Sequence, residues 1–194
     1  MALTPSTMPR LGSKAPDFSL VDTQGRRVSL GDFKGSKALL VMFICNHCPY
    51  VKHVRDELAR LGRDYSSQGV SIVAINANDA KTHPEDSPEA MVREVAEAGY
   101  VFPYLYDATQ ETAKAYGAAC TPDFFLYDSK QSLVYRGQLD DSRPGNNKPV
   151  TGADLRAALD IVLKGGVVAD SQKPSIGCNI KWTPGNEPGY FKKA

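Results

Sequence analysis

Two cysteines with two residues between them, Cys45-Asn46-His47-Cys48, are the most chemically loaded stretch of this chain. Such a pair can hold a metal, carry a haem, cycle between dithiol and disulfide, or pack inertly. Covalent haem needs His directly after the second cysteine, and Pro49 stands there instead. Structural zinc usually takes two such knuckles, whereas Cys120 and Cys178 are singletons. A metal carrier or sensor for zinc or cuprous copper would have to draw Cys45, Cys48, Cys120 and Cys178 together.

Redox chemistry has a local cause. If a helix begins at this motif, its free backbone N–H groups and positive dipole end favour thiolate over thiol. Cys45 is then expected to have a lowered pKa and to act as nucleophile. Cys48, one helical turn on, would resolve a mixed disulfide formed at Cys45. His47 either adds positive charge beside the thiolate, which stabilises the reduced form and makes the couple more oxidising, or is a solvated imidazole. Lys52 and His53 are expected to face solvent.

The flanking segments supply the required frame. Ala38 to Ile44 is apolar without polar alternation, as in a strand covered on both faces. From Pro49 to about Tyr65, Val51, Val54, Leu58 and Leu61 recur at helical spacing, and Pro49 fits only in a first turn. A second buried strand spans Val70 to Ile75, a polar loop Asn76 to Pro88, and a helix Pro88 to about Ala98. Strand, helix, strand implies a right-handed parallel crossover. Further on, the pattern predicts a strand over Val101–Tyr106, a helix over Thr109–Tyr116 closed by Gly117, a hairpin of Phe124–Tyr127 with Leu133–Tyr135, and a last helix from Ala153 to Leu163. Ahead of all this, Asp17–Leu20 and Arg27–Leu30 read as a hairpin turning at Gly25. Pro174 to Ala194 shows no clear period, and its aromatics Trp182, Tyr190 and Phe191 suggest a packed tail.

A length of 194 residues fits one domain able to bury about 70 per cent of its unfolded surface. The formal net charge of +1 provides no field for nucleic acid, and the longest apolar run, Ala38 to Cys45, is too short for a membrane span. With no signal-peptide core near the start and few cysteines, a cytoplasmic protein without a cofactor is expected.

The CxxC at the end of a buried strand, together with a distant Thr121-Pro122 opening a hairpin, resembles the thioredoxin fold: an α/β protein with a central mixed sheet flanked by helices. "GSKAPDFSLVDTQGRRVSLGDFKG" is similar to the opening of its redoxin, or AhpC/TSA, branch. The resemblance covers residues 11–165, leaving an N-terminal arm (1–10) and a C-terminal tail (166–194) packed on the domain. It implies a thiol-disulfide oxidoreductase with Cys45 as nucleophile, Cys48 as resolving thiol, and Pro122 as a cis-proline against the disulfide. Thr121 would offer its backbone to a substrate chain as an added strand. Expected partners are a protein disulfide or small-thiol substrate and a thiol reductant.

Peroxiredoxins of the same branch supply the rival reading, a thiol peroxidase with Cys45 peroxidatic. Their motif has Thr or Ser where this chain has Met42 and Pro where it has Ala38, and their arginine falls at Thr121-Pro122, so peroxide reduction is demoted. Relative to thioredoxins proper, Asn46-His47 replaces Gly-Pro, which implies a potential above about −270 mV. Cys120, two residues before Pro122, and Cys178 in the tail suggest a second thiol pair relaying electrons, or two buried small hydrophobes.

Overall fold

The computed structural model of the protein describes residues 3–191; residues 1, 2 and 192–194, the ends of the expected arm and tail, lie outside it. Its frame is a mixed sheet built outward from β4 (Ala38–Phe43), every residue of which is buried. β5 (Val70–Asn76) pairs parallel to β4, and β8 (Asp123–Asp128) pairs antiparallel on its other side. β6 (Tyr104–Tyr106) extends the parallel side, and β9 (Leu133–Gly137) the antiparallel side. The early hairpin, β2 (Ser19–Asp22) and β3 (Arg27–Ser29), adds to β6 and completes the order β3-β2-β6-β5-β4-β8-β9. Gly25 makes its turn at φ +77°, a conformation that glycine adopts without Cβ strain.

Alternation along β4 divides the core. Leu40, Met42 and Ile44 face one layer, which α1 (Pro49–Ser66), α2 (Pro88–Ala98) and α4 (Ala153–Leu163) cover with Val51, Val54, Leu58, Met91, Leu155 and Leu159. Leu39, Val41 and Phe43 face the other, covered by α3 (Glu111–Tyr116) and by Ile180 and Trp182 of the tail. Each fully buried aliphatic or aromatic side chain contributes about 1.5–3 kcal/mol, so two such layers hold β4 firmly where it delivers the dithiol.

Several boundaries depart from the sequence pattern. The strand expected from Val101 begins only at Tyr104: Pro103 offers no N–H, and Val101 is exposed. The helix expected from Thr109 begins at Glu111, because Gln110 adopts a left-handed φ of +64° that helix geometry does not allow. The tail holds a strand that its lack of period concealed. β10 (Ile176–Asn179) pairs antiparallel with β1 (Leu3–Pro5) on one side and β7 (Cys120–Thr121) on the other, forming a second, three-stranded sheet.

Candidate active site

Cys45 lies just beyond the C-terminal end of β4, and Cys48 is the N-cap of α1 with Pro49 in the first turn. Both thiols are buried, and they hydrogen-bond to each other. Thr121-Pro122 is a cis peptide, as the resemblance implied. Thr121 bridges to both cysteines: its Oγ1 lies 3.2 Å from Cys45 Sγ and its carbonyl oxygen 3.3 Å from Cys48 Sγ.

The two sulfurs are electrostatically unequal, in the opposite sense to the sequence expectation. Burial pushes the Cys45 thiol well above its ordinary value, and its hydrogen bond with Cys48 and the charge of Asp86 push the same way. Cys48 is held low by hydrogen bonds from the Cys178 thiol and then Cys45, which outweigh its burial; the Val51 N–H adds to them. The lowered thiol is therefore the N-cap sulfur, held so chiefly by the Cys178 and Cys45 thiols with the helix N–H of Val51 adding to them, rather than the residue three positions before it.

Asp86 organises the loop side, and sequence reasoning missed it. Its Oδ1 accepts from the Asn46 N–H at 2.7 Å; its Oδ2 lies 2.6 Å from His47 Nδ1 and accepts from Asn78 Nδ2 at 2.6 Å. Burial alone would raise the Asp86 carboxyl, but the hydrogen bonds of His47 and Asn78 and the His47 charge hold it below the usual carboxylate range. The same hydrogen bond raises His47 against its partial burial. His47 stacks on His83 at 5.1 Å between ring centroids, so the solvated-imidazole alternative gives way to a held, ion-paired ring. Asn46 is fixed from two sides, donating to the Glu85 carbonyl at 2.8 Å and accepting from the buried Tyr104 hydroxyl at 3.0 Å. The available signal was Asn76, which closes β5, and Asn78 just beyond it: Asn76 Nδ2 donates to the Asp86 carbonyl at 3.0 Å.

Three other expectations need correction. His53 does not face solvent; it is half-buried, with Nε2 2.6 Å from Ser142 Oγ, while Lys52 is exposed as expected. The edge of Thr121 is not open to a substrate strand, because β10 already pairs there with Cys178 opposite Thr121 and Asn179 opposite Cys120. Cys120 and Cys178 do not form a second pair. Pleating sends Cys120 to the face away from Thr121, where its thiol donates to the Pro122 carbonyl at 3.6 Å, whereas Cys178 shares the face of Thr121 and hydrogen-bonds with Cys48. Among the described residues, the group whose ligand atoms lie within 4.8 Å of one another is Cys45, His47 and Asp86, not a set of four thiols. Met42 and Ala38 are buried apolar side chains of β4.

A buried dithiol at a helix entrance, set against a cis X-Pro on a sheet of this order, defines a thioredoxin-fold dithiol protein. Within that class the family description Redoxin matches residues 10–155, and the chain belongs to the Redoxin family. It is 32% identical over 123 residues to the thiol-disulfide oxidoreductase ResA of Bacillus subtilis, covering 63% of this chain and 64% of that protein, so it spans just under two thirds of that relative. A crystal structure of a hypothetical protein from Sinorhizobium meliloti superposes with a TM-score of 0.93 at 59% identity, covering 94% of this chain and 100% of the other. A Chlorobium tepidum structure provisionally assigned as thiol:disulfide interchange protein DsbE gives 0.63 at 26% identity, covering 79% and 98%.

Proposed function

We propose that this protein is a thiol-disulfide oxidoreductase that cycles Cys45 and Cys48 between dithiol and disulfide. The observation that carries the reading is the hydrogen-bonded pair of buried thiols facing the cis Thr121-Pro122 peptide, with one sulfur on a helix N-terminus. The likeness to ResA over most of the domain supports it.

The inequality of the sulfurs shapes the mechanism. Cys48 is the lower of the two thiols and Cys45 is hydrogen-bonded to it, so a proton can pass between the two sulfurs. When a substrate disulfide arrives, passing that proton to Cys48 makes Cys45 the thiolate. Cys45 attacks one substrate sulfur, the substrate S–S bond breaks, and the electron pair leaves on the other sulfur, which takes a proton. Cys48 then gives up its proton and attacks Cys45 Sγ, releasing the second substrate thiol and leaving a Cys45–Cys48 disulfide. A thiol reductant restores the pair by the reverse exchange. Asp86 acts as a positioning residue, holding the Asn46 N–H and the His47 ring beside the sulfurs.

Substrates of this proposal are protein disulfides or small disulfides, and a cytoplasmic address, supported by the few cysteines, belongs to the same proposal. Titration against glutathione buffers with thiol trapping is the test. A reversible two-electron transition trapped at the Cys45–Cys48 pair, and lost in Cys48→Ser, is expected; failure of the pair to oxidise reversibly would overturn the reading.

A further inference from the structure

One thiol stands outside the two-cysteine cycle and yet touches it. Cys178 is buried in the same apolar cluster as Cys45 and Cys48. It arrives there on β10, whose register places Cys178 directly opposite Thr121, the residue whose hydroxyl and carbonyl contact the two catalytic sulfurs. Antiparallel pairing puts directly opposed side chains on one face, so Cys178 points to the dithiol side.

The approach is close by construction. Gly177 lies so near that a Cβ there would stand 2.1 Å from the Thr121 carbonyl oxygen, and only glycine permits this contact. β1 braces the strand from outside, with Leu3 opposite Cys178 and Thr4 opposite Gly177. A strand added antiparallel beside the cis-proline is the place the substrate chain was expected to take, and here the protein's own tail fills it, sulfur included. The Cys178 thiol hydrogen-bonds to Cys48, which raises Cys178 and lowers Cys48.

We propose that Cys178 is a third redox thiol, exchanging with the oxidised Cys45–Cys48 pair to give a Cys48–Cys178 disulfide and a free Cys45. This rests on the dithiol cycle proposed above. In the step, Cys178 loses its proton and attacks Cys48 Sγ; the Cys48–Cys178 bond forms and the Cys45–Cys48 bond breaks. The electron pair leaves on Cys45 Sγ, which takes up a proton. The exchange is an isomerisation, so no oxidant is consumed beyond the substrate disulfide that oxidised the pair. Its consequence is a tail strand that carries oxidising equivalents away from Cys45 and is itself locked across the site while it does so.

Trypsin separates the sulfurs usefully. Cys45 and Cys48 fall on one peptide between Lys37 and Lys52, and Cys178 on another ending at Lys181. The full chain is oxidised with diamide, quenched with N-ethylmaleimide in acid, and mapped without reduction. A linked mass of the two peptides is expected in the wild type and in Cys45→Ser, and its loss in Cys48→Ser and Cys178→Ser. Cys178→Ser keeps the internal Cys45–Cys48 disulfide. Gly177→Ala, which pushes β10 off Thr121, is expected to lose the linked mass while keeping the internal disulfide. If the wild type and Cys45→Ser yield no linked mass although the internal disulfide forms in the wild type, the third-thiol proposal is overturned and the dithiol reading stands. If no internal disulfide forms in the wild type or in Cys178→Ser, the dithiol reading itself is overturned.

Discussion

Two buried carboxylates lie on the segments that build the site, Asp86 on the loop that holds Asn46 and His47 and Asp123 directly after the cis-proline, and they carry opposite tendencies. On the loop side Asp86 has a fully buried side chain, yet it accepts from the Asn46 N–H, His47 and Asn78 and stays below the usual carboxylate range. On the strand side Asp123, the residue after the cis-proline, is equally buried, but burial pushes it up to about 7 against hydrogen bonds from Ser6 and the Ala119 and Phe124 N–H groups. One of its carboxylate oxygens has no hydrogen-bond partner among the described residues. Burial is common to both, so donors, and a cation in reach, decide which one keeps its charge. The loop-side carboxylate is thus held charged by its donors, whereas the strand-side carboxyl titrates near neutral pH.

Removing the carboxylate on the loop side should be the more damaging change. Asp86→Ala leaves the Asn46 N–H, His47 Nδ1 and Asn78 Nδ2 without their acceptor. Stranding one member of a buried pair costs about 3–5 kcal/mol. Urea denaturation at pH 7 should show a loss of this size, and an unchanged midpoint would mean that the network does not hold the loop.

The same class of change on the strand side should have the opposite sign. The unfolded Asp123 carboxyl titrates near 3.8 and the folded one near 7, so between these values the unfolded chain sheds a proton the folded chain keeps. Stability contributed by this group is therefore full below pH 4, falls as pH rises toward 7, and is lost above it. Asp123→Asn should stabilise the protein by on the order of 2–4 kcal/mol at pH 8 and by little at pH 4. Equal thermal shifts of the variant at both pH values would remove the contrast between the two flanks.

The sequence made the frame legible and the flanks only partly so. Uninterrupted apolar runs and the Val51, Val54, Leu58, Leu61 period located β4, β5 and α1, because burial on both faces of a strand or one face of a helix leaves a mark in residue type. Cys45 and Cys48 could be named from their spacing, and the cis Thr121-Pro122 from the family resemblance. Asp86 could not, since its role comes from a loop folding back onto Asn46 across forty positions of chain, and a Pro-Glu-Asp stretch looks like any polar turn. β10 escaped for a related reason: four residues between irregular segments, stabilised by pairing with both β1 and β7, carry almost no periodicity of their own. The lowered thiol was misplaced by one helical turn, because the helix start could be read but not which sulfur caps it.

His47 tests the comparison most finely, since it is the cation that separates the two flanks. Its hydrogen bond to Asp86 raises it above the ordinary 6.5, so the ring keeps its charge to higher pH than a free imidazole and, while charged, offsets the Asp86 charge beside Cys45. Replacing it by glutamine leaves an uncompensated carboxylate near the dithiol, which disfavours thiolate and so destabilises the reduced state. The midpoint potential of His47→Gln should fall by about 30 mV, which for a two-electron couple corresponds to about 1.4 kcal/mol. The sign of the pH dependence follows: the difference from wild type should be full below pH 6.5 and fade as pH rises through the raised His47 value, where the wild-type ring also becomes neutral. Glutathione titrations at pH 6 and pH 9 measure it, and a shift that persists undiminished at pH 9 would show that the ring acts by packing on His83 and not by its charge.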